Sequence, residues 1–129
     1  MNRTAVTGII NHNGQIIIGK KIRKDGHFLS GKWHIPGGHV EKNEHEEEAL
    51  VREMQEETGL SVKVIKFIDS HSRNGILVKW YLCKPFTFDL NPGDDLEEVK
   101  FVPKKDVSKL CDQVAVSLWP PKVVEYFKS

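Results

Sequence analysis

Three carboxylates stand at helical spacing in this chain. Glu53, Glu56 and Glu57 follow one another at steps that put side chains on one face of a helix. Acids held that close repel one another unless a cation sits between them, and oxygen-rich carboxylate sites suit hard divalent ions such as Mg²⁺ or Mn²⁺. At about 100° per residue, Glu56 and Glu57 fall on either side of Glu53, and the small Ala49 lies under the same face. Leu50, Val51 and Met54 cluster away from the acids, so one edge of the helix is expected to meet the core and the adjacent edge to carry charge. Arg52 points to the other flank, where it could hold Glu44 or one of the acids by a bidentate pair. Most Glu-rich helices are only solvated faces, and Glu46-Glu47-Glu48 reads as one. The acids at 53, 56 and 57 differ because Gly38, Glu44, Arg52 and Gly59 accompany them at fixed offsets.

The elements that must position these acids can be read around them. A helix is expected from about Glu44 to Thr58, closed by Gly59 as a left-handed cap. Trp33 to Ile35 reads as a short strand running into Pro36-Gly37-Gly38. Upstream, Thr4 to Ile10 and Gln15 to Gly19 are strands joined by Asn13-Gly14, a hairpin turn signal. Residues 23 to 32 read as a loop. Val62 to Ser70 and Ile76 to Cys83 form a second strand pair around Asn74-Gly75. Asn91-Pro92-Gly93-Asp94 is a loop and Glu98 to Val102 a further strand. Pro103 to Leu110 reads as a short helix or turn. Val114 to Phe127 holds a terminal helix that Pro120-Pro121 interrupts or starts. This order fits an α/β fold, a mixed sheet with helices on both faces.

Composition sets wider bounds. A chain of 129 residues fits one domain, residues 1–129, and can bury a core. Its hydrophobic content of 39%, charged content of 29% and formal net charge of +1 are ordinary and do not point to a nucleic-acid polymer or a membrane. Lys20, Lys21, Arg23 and Lys24 make a basic cluster ahead of the acids, able to draw in polyphosphate. Cys83 and Cys111 show no metal-ligand spacing, and Cys83 reads as core. Without an apolar leader or membrane span, a cytoplasmic protein is expected.

The run from Gly38 to Leu60 resembles the box of the Nudix hydrolase family, G-x5-E-x7-R-E-U-x-E-E-x-G-U with U apolar. Gly38, Glu44, Arg52, Glu53, Met54, Glu56, Glu57, Gly59 and Leu60 meet every fixed position, and Gly31 to Gly38 looks like the usual lead-in. The resemblance implies a Nudix-type α/β/α sandwich and Mg²⁺- or Mn²⁺-dependent hydrolysis of a nucleoside diphosphate linked to another group. Such ions neutralise phosphate charge and lower the pKa of bound water. Glu53, Glu56, Glu57 and the Gly38 carbonyl would be metal ligands. Glu44 and Arg52 would orient the acids. The base would be Glu53 or an acid of the loop before the last strand, with Glu98 preferred over Glu97 and Asp95 because it stands three residues before Phe101. Lys42-Asn43, where the family often has proline-glycine, and Phe101, where tryptophan is frequent, depart from the pattern.

Substrate choice lies outside the box. The proline typical of ADP-ribose pyrophosphatases is missing between Ser70 and Val78, Tyr81 sits late for a dinucleoside polyphosphate hydrolase, and no coenzyme A signature is evident. A MutT-like enzyme cleaving nucleoside triphosphates, ordinary or oxidised as in 8-oxo-dGTP, is therefore expected, with ADP-ribose or nucleotide-sugar hydrolysis as the alternative. A non-catalytic nucleotide-binding regulator ranks last because no box acid is lost. Lys20 and Arg23 are candidates to meet the phosphates, and Phe28, Trp33 and Trp119 to meet a base. His34 and His39 read as local hydrogen-bonding residues. Many relatives are dimers, and the sequence itself marks no interface.

Overall fold

In a computed structural model, the described residues are 3–23, 29–93 and 95–129. Strands β1 (Arg3–His12) and β2 (Gln15–Lys21) are joined by Asn13-Gly14. The turn residues adopt φ of 53° and 83°, as the two-residue turn matched to strand twist requires. β3 (Trp33–His34) and β4 (Gly37–His39) precede α1 (Glu46–Thr58). β5 (Val62–Arg73) and β6 (Ile76–Pro85) follow, joined by Asn74-Gly75 in the same positive-φ conformation. β7 (Leu96–Pro103), a 3₁₀ turn (Lys104–Asp106) and the helices α2 (Val107–Leu110), α3 (Gln113–Ser117) and α4 (Pro121–Lys128) complete the chain.

The sheet runs β3-β2-β1-β6-β5, with β4 also on β1 and β7 also on β2. The β1–β6 pairing is parallel and the others are antiparallel, giving the expected mixed sheet. Because side chains alternate along a strand, β1 feeds two cores. Val6 and Ile10 join Ile17, Ala49, Leu50, Met54 and Leu60 beneath α1. Ile9 joins Ile16, Ile18, Trp80, Val107, Val123 and Phe127 beneath α2 to α4. Helices therefore cover both faces, as in an α/β/α sandwich, and both cysteines are buried and free.

Several expectations are corrected. Helix α1 begins at Glu46, two residues after Glu44. The Glu44 carboxylate instead accepts the Glu41 N–H at 3.0 Å. Val51 is 40% exposed while Leu50 and Met54 are fully buried, since Val51 lies beyond Met54 on the wheel and past the edge of the sheet contact. Glu46 is not simply solvated, because Lys79 Nζ lies 2.8 Å from its carboxylate. Gly37–His39 forms a further short strand that the sequence did not mark, ordered by Ala5, Val6 and Thr7 of β1. As one of the two readings of Pro120-Pro121 had it, the prolines interrupt the terminal helix, giving α3 and α4, with Pro121 in the first turn of α4, where its missing N–H costs nothing.

Candidate active site

The acids of α1 meet the sheet at β4. Gly59 caps the helix at φ 81°, its N–H donating to Gln55 O at 3.0 Å. That sharp end turns Leu60 back into the core and leaves Glu57 facing β4. Glu57 is 5% exposed, and its Oε1 accepts the Gly37 N–H at 3.0 Å. Burial, with repulsion from Glu53 behind it, pushes the Glu57 carboxyl up to about 8. A buried acid of that kind gains most from a nearby cation.

Gly38 is required by proximity. A Cβ built there would overlap the Glu53 carboxylate, so the backbone carbonyls of β4 and the acids of α1 share a space that only glycine leaves open. Glu53 and Glu56 are gathered from outside by Arg52. Its Nη1 donates to Glu53 Oε1 at 3.0 Å and Glu56 Oε2 at 3.2 Å, while Nε and Nη2 grip Glu44 at 2.7 and 2.9 Å. The Arg52 guanidinium holds the Glu44 carboxyl down at about 2. The bidentate pair expected from the sequence is present, and it reaches both alternatives at once.

Among the described residues, no group of three or more acids, histidines or cysteines is gathered at metal-holding distance. The donor chemistry nevertheless fits a hard divalent ion. The carboxylates are all oxygen ligands, and Glu57 is buried, its carboxyl pushed up by that burial and then by the Glu53 charge. Glu53 stands against the glycine-only backbone of β4, the arrangement that leaves room for a carbonyl ligand.

A cleft of about 470 Å³ opens over this corner, lined by Gly37, Gly38, Glu57, Lys21, Asp95 and Arg73 among others. Lys21 Nζ and Asp95 pair at 2.9 Å on its rim. An adjoining groove of about 130 Å³ is lined by His71, Trp80 and Trp119.

The structure separates the candidate residues. Glu53, Glu56, Glu57, Gly38, Glu44 and Arg52 come together. Lys20 does not line the cleft. It faces Glu98 and Trp33 across the sheet, and the next residue, Lys21, takes the cleft side. Arg23 is exposed and packs beside Gly31, with its Cγ 3.3 Å from where a Gly31 Cβ would be. Trp33 is half-buried against the α2–α4 core, with Lys100 Nζ 4.4 Å above its ring. Trp119 does border the groove. Lys24, Phe28 and Asp94 lie outside the described residues. Glu97 and Glu98 are exposed on β7, and among the described residues of the loop Asp95 is the acid that lines the cleft. His34 makes a local hydrogen bond, Nδ1 to Ile35 O at 2.9 Å.

Lys21, Arg73, His71 and Trp80 were not singled out as site residues by the sequence. Lys21 sat inside the basic cluster but could not be told from its neighbours, because three consecutive buried isoleucines mask the alternation of β2. Arg73 carried one signal, its position beside the Asn74-Gly75 turn.

The NUDIX domain family matches residues 1–123, and the chain belongs to this family. An ADP-ribose pyrophosphatase of Methanocaldococcus jannaschii is 36% identical over 113 residues, covering 83% of this chain and 65% of that protein. A CTP pyrophosphohydrolase of Escherichia coli is 35% identical over 68 residues, covering 53% of this chain and 49% of that protein. The chain thus spans less than two thirds of either relative. The crystal structure of a NUDIX hydrolase from Nitrosomonas europaea superposes with a TM-score of 0.81 at 20% identity, over 99% of this chain and 72% of that one. At that identity the likeness speaks to the fold. No helix among the described residues is long and apolar enough to cross a membrane.

Proposed function

We propose that the protein hydrolyses the phosphoric anhydride of a nucleoside diphosphate derivative, with a nucleoside triphosphate as the leading substrate, giving monophosphate and pyrophosphate. The observation that carries this reading is the buried Glu57 in a cleft whose rim holds Lys21 and Arg73. Anhydrides resist water because their own negative charge repels nucleophiles, so a catalyst must first supply positive charge. Lys21 and Arg73 do so from the protein, binding and aligning the phosphate chain.

Glu53, Glu56, Glu57 and the Gly38 carbonyl would hold Mg²⁺ or Mn²⁺, which neutralises phosphate oxygens and acidifies water. In the reaction, the water oxygen joins one phosphorus, the bridging oxygen leaves with the other phosphate, and the proton passes to a carboxylate. The candidates to receive it are Asp95, which lines the cleft, and Glu53, whose carboxylate stands against Gly38 of the cleft wall. Arg52 keeps Glu53 oriented and Glu44 keeps Arg52 in place. The cleft volume suits a small-molecule nucleotide.

A second reading is hydrolysis of ADP-ribose, favoured by the similarity to the M. jannaschii ADP-ribose pyrophosphatase over most of this chain. The test is incubation with Mg²⁺ and a panel of nucleoside triphosphates (8-oxo-dGTP included), nucleotide sugars and ADP-ribose, beside a Glu57→Gln control. Monophosphate and pyrophosphate from triphosphates, lost in the control, support the leading reading. Turnover of ADP-ribose alone selects the second. Nucleotide binding without turnover of anything overturns both.

A further inference from the structure

Lys21 is held in the cleft by its own backbone. Alternation along β2 puts it on the sheet face of Ile17, beneath α1. Its N–H donates to Lys32 O and its carbonyl accepts the Gly31 N–H, both at 3.0 Å. Asp95 is brought beside it by backbone bonds of a different segment. The Ile22 N–H donates to the Asp95 carbonyl at 2.7 Å. The turn that carries Asp95 is fastened to the acid-bearing helix, with the Gly93 N–H on Glu57 O at 3.2 Å and the Leu96 N–H on Gly93 O at 3.0 Å.

The two side chains differ in freedom. They pair at 2.9 Å, yet the Lys21 side chain is 13% exposed and the Asp95 side chain 63%. Lys21 is confined by its surroundings, whereas the Asp95 carboxylate can turn out into water while its backbone stays in place. An ion pair with one partner so exposed is weak. A phosphate brings more charge to the same ammonium and accepts charge-assisted hydrogen bonds from it. Lys21 also acts on the floor of the cleft. The Glu57 carboxyl, raised chiefly by burial, feels both members of the pair, with Lys21 drawing it down and Asp95 pushing it up. Phosphate and Asp95 therefore compete for one cation.

We propose that Asp95 is a stand-in for phosphate: it holds Lys21 between turnovers, yields it when a pyrophosphate group enters and takes it back as the product leaves. The inference rests on the phosphate-binding role given to Lys21 above. It makes Asp95 a residue that sets how tightly phosphate is held. An ammonium has several donors and could serve both partners at once, but a carboxylate that stayed would then face the phosphate with like charge.

The test needs no turnover. Inorganic pyrophosphate is titrated calorimetrically, with Mg²⁺ present, into wild type, Asp95→Asn, Lys21→Gln and the double variant. Exchange predicts that Asp95→Asn binds pyrophosphate about two- to fivefold more tightly, and that this gain vanishes in the Lys21→Gln background. An Asp95 that only orients Lys21 predicts the opposite sign, weaker binding by Asp95→Asn. That result overturns the proposal, as do an unchanged Kd, a gain that persists without Lys21, or no binding by wild type. Should the Lys21 variants fail to fold, steady-state constants decide. Asp95→Asn should then lower KM for a triphosphate together with kcat and strengthen inhibition by pyrophosphate, and a raised KM overturns the exchange. Triphosphate hydrolysis with pyrophosphate binding indifferent to Asp95 leaves the proposed activity standing without the exchange. A Lys21-dependent gain with no hydrolysis of any nucleotide has the opposite meaning: the exchange stands and the activity falls.

Discussion

Arg52 grips Glu44 with two parallel hydrogen bonds, Nε to Oε2 at 2.7 Å and Nη2 to Oε1 at 2.9 Å, across eight residues of sequence. The grip leaves Nη1 to serve Glu53 and Glu56. One guanidinium thus ties the segment before α1 to the acids on it. Lysine would keep the charge and lose the fork. Arg52→Lys is expected to lower kcat/KM at least about tenfold and stability by about 1–3 kcal/mol, since charged hydrogen bonds are lost. Steady-state kinetics beside urea unfolding checks both. Unchanged kinetics would remove Arg52 from the orientation of Glu53.

The same pair carries an acid signature. The Glu44 carboxyl lies at about 2 in the folded protein against an ordinary 4.5. A depressed carboxyl contributes stability that is complete above the unfolded value and is lost as pH falls from 4.5 through about 2. Thermal melts taken from near neutrality to acid should therefore show a decline that Glu44→Gln flattens. The variant should start with a lower melting temperature at neutral pH. Parallel curves for the two proteins would contradict the pairing.

Gly37 and Gly38 are neighbours with different obligations. A Cβ at Gly37 would strike the Val6 carbonyl of β1, which is backbone and cannot step aside. A Cβ at Gly38 would strike the Glu53 carboxylate, the end of a flexible side chain. Gly37→Ala should cost folding stability, by roughly 1–3 kcal/mol for an overpacked site. Gly38→Ala should leave the melting temperature closer to wild type and lower kcat by orders of magnitude. Reversal of that ranking would mean Glu53 does not act from the position seen here.

Asp95 and Glu98 can be distinguished by amide substitution. Asp95 lines the cleft and pairs with Lys21, whereas Glu98 stands opposite Lys20 and does not line it. Asp95→Asn should lower kcat/KM more than Glu98→Gln does. A deep loss of kcat in Glu98→Gln alone would return the general-base role to Glu98.

That Asp95 rather than Glu98 lines the cleft shows where sequence reading stops. Lys20 is opposite Glu98, but Lys21 is opposite Leu96, so the β2–β7 register skips a residue. Such a bulge inserts one position and changes which side chain reaches a given place. Counting back from Phe101 cannot detect it. The acids of α1 were legible because helical spacing fixes their face, and the two Asn-Gly turns because only a few residues accept positive φ at both positions. β4 was not, because a three-residue strand with two glycines is held by pairing with β1 rather than by any propensity of its own. The groove of Trp80 and Trp119 was half legible. Trp119 was a candidate for base contact, but Trp80 on β6 meets it only through the folding of α3 and α4 over the sheet.

The two hairpin tips differ in what they overlook. At Asn13-Gly14 and Asn74-Gly75 alike, a side chain on the glycine would meet nothing within 4 Å, so both tips can grow without disturbing either core. Only Asn74 borders the cleft. The first tip lies away from the cleft, tied to the chain after β7 by the Lys104 N–H on Gly14 O at 2.9 Å, so lengthening it leaves the entrance unchanged. Lengthening the second hangs new side chains over the entrance while the acids beneath stay fixed, so one scaffold can be retuned to new substrates through a single turn.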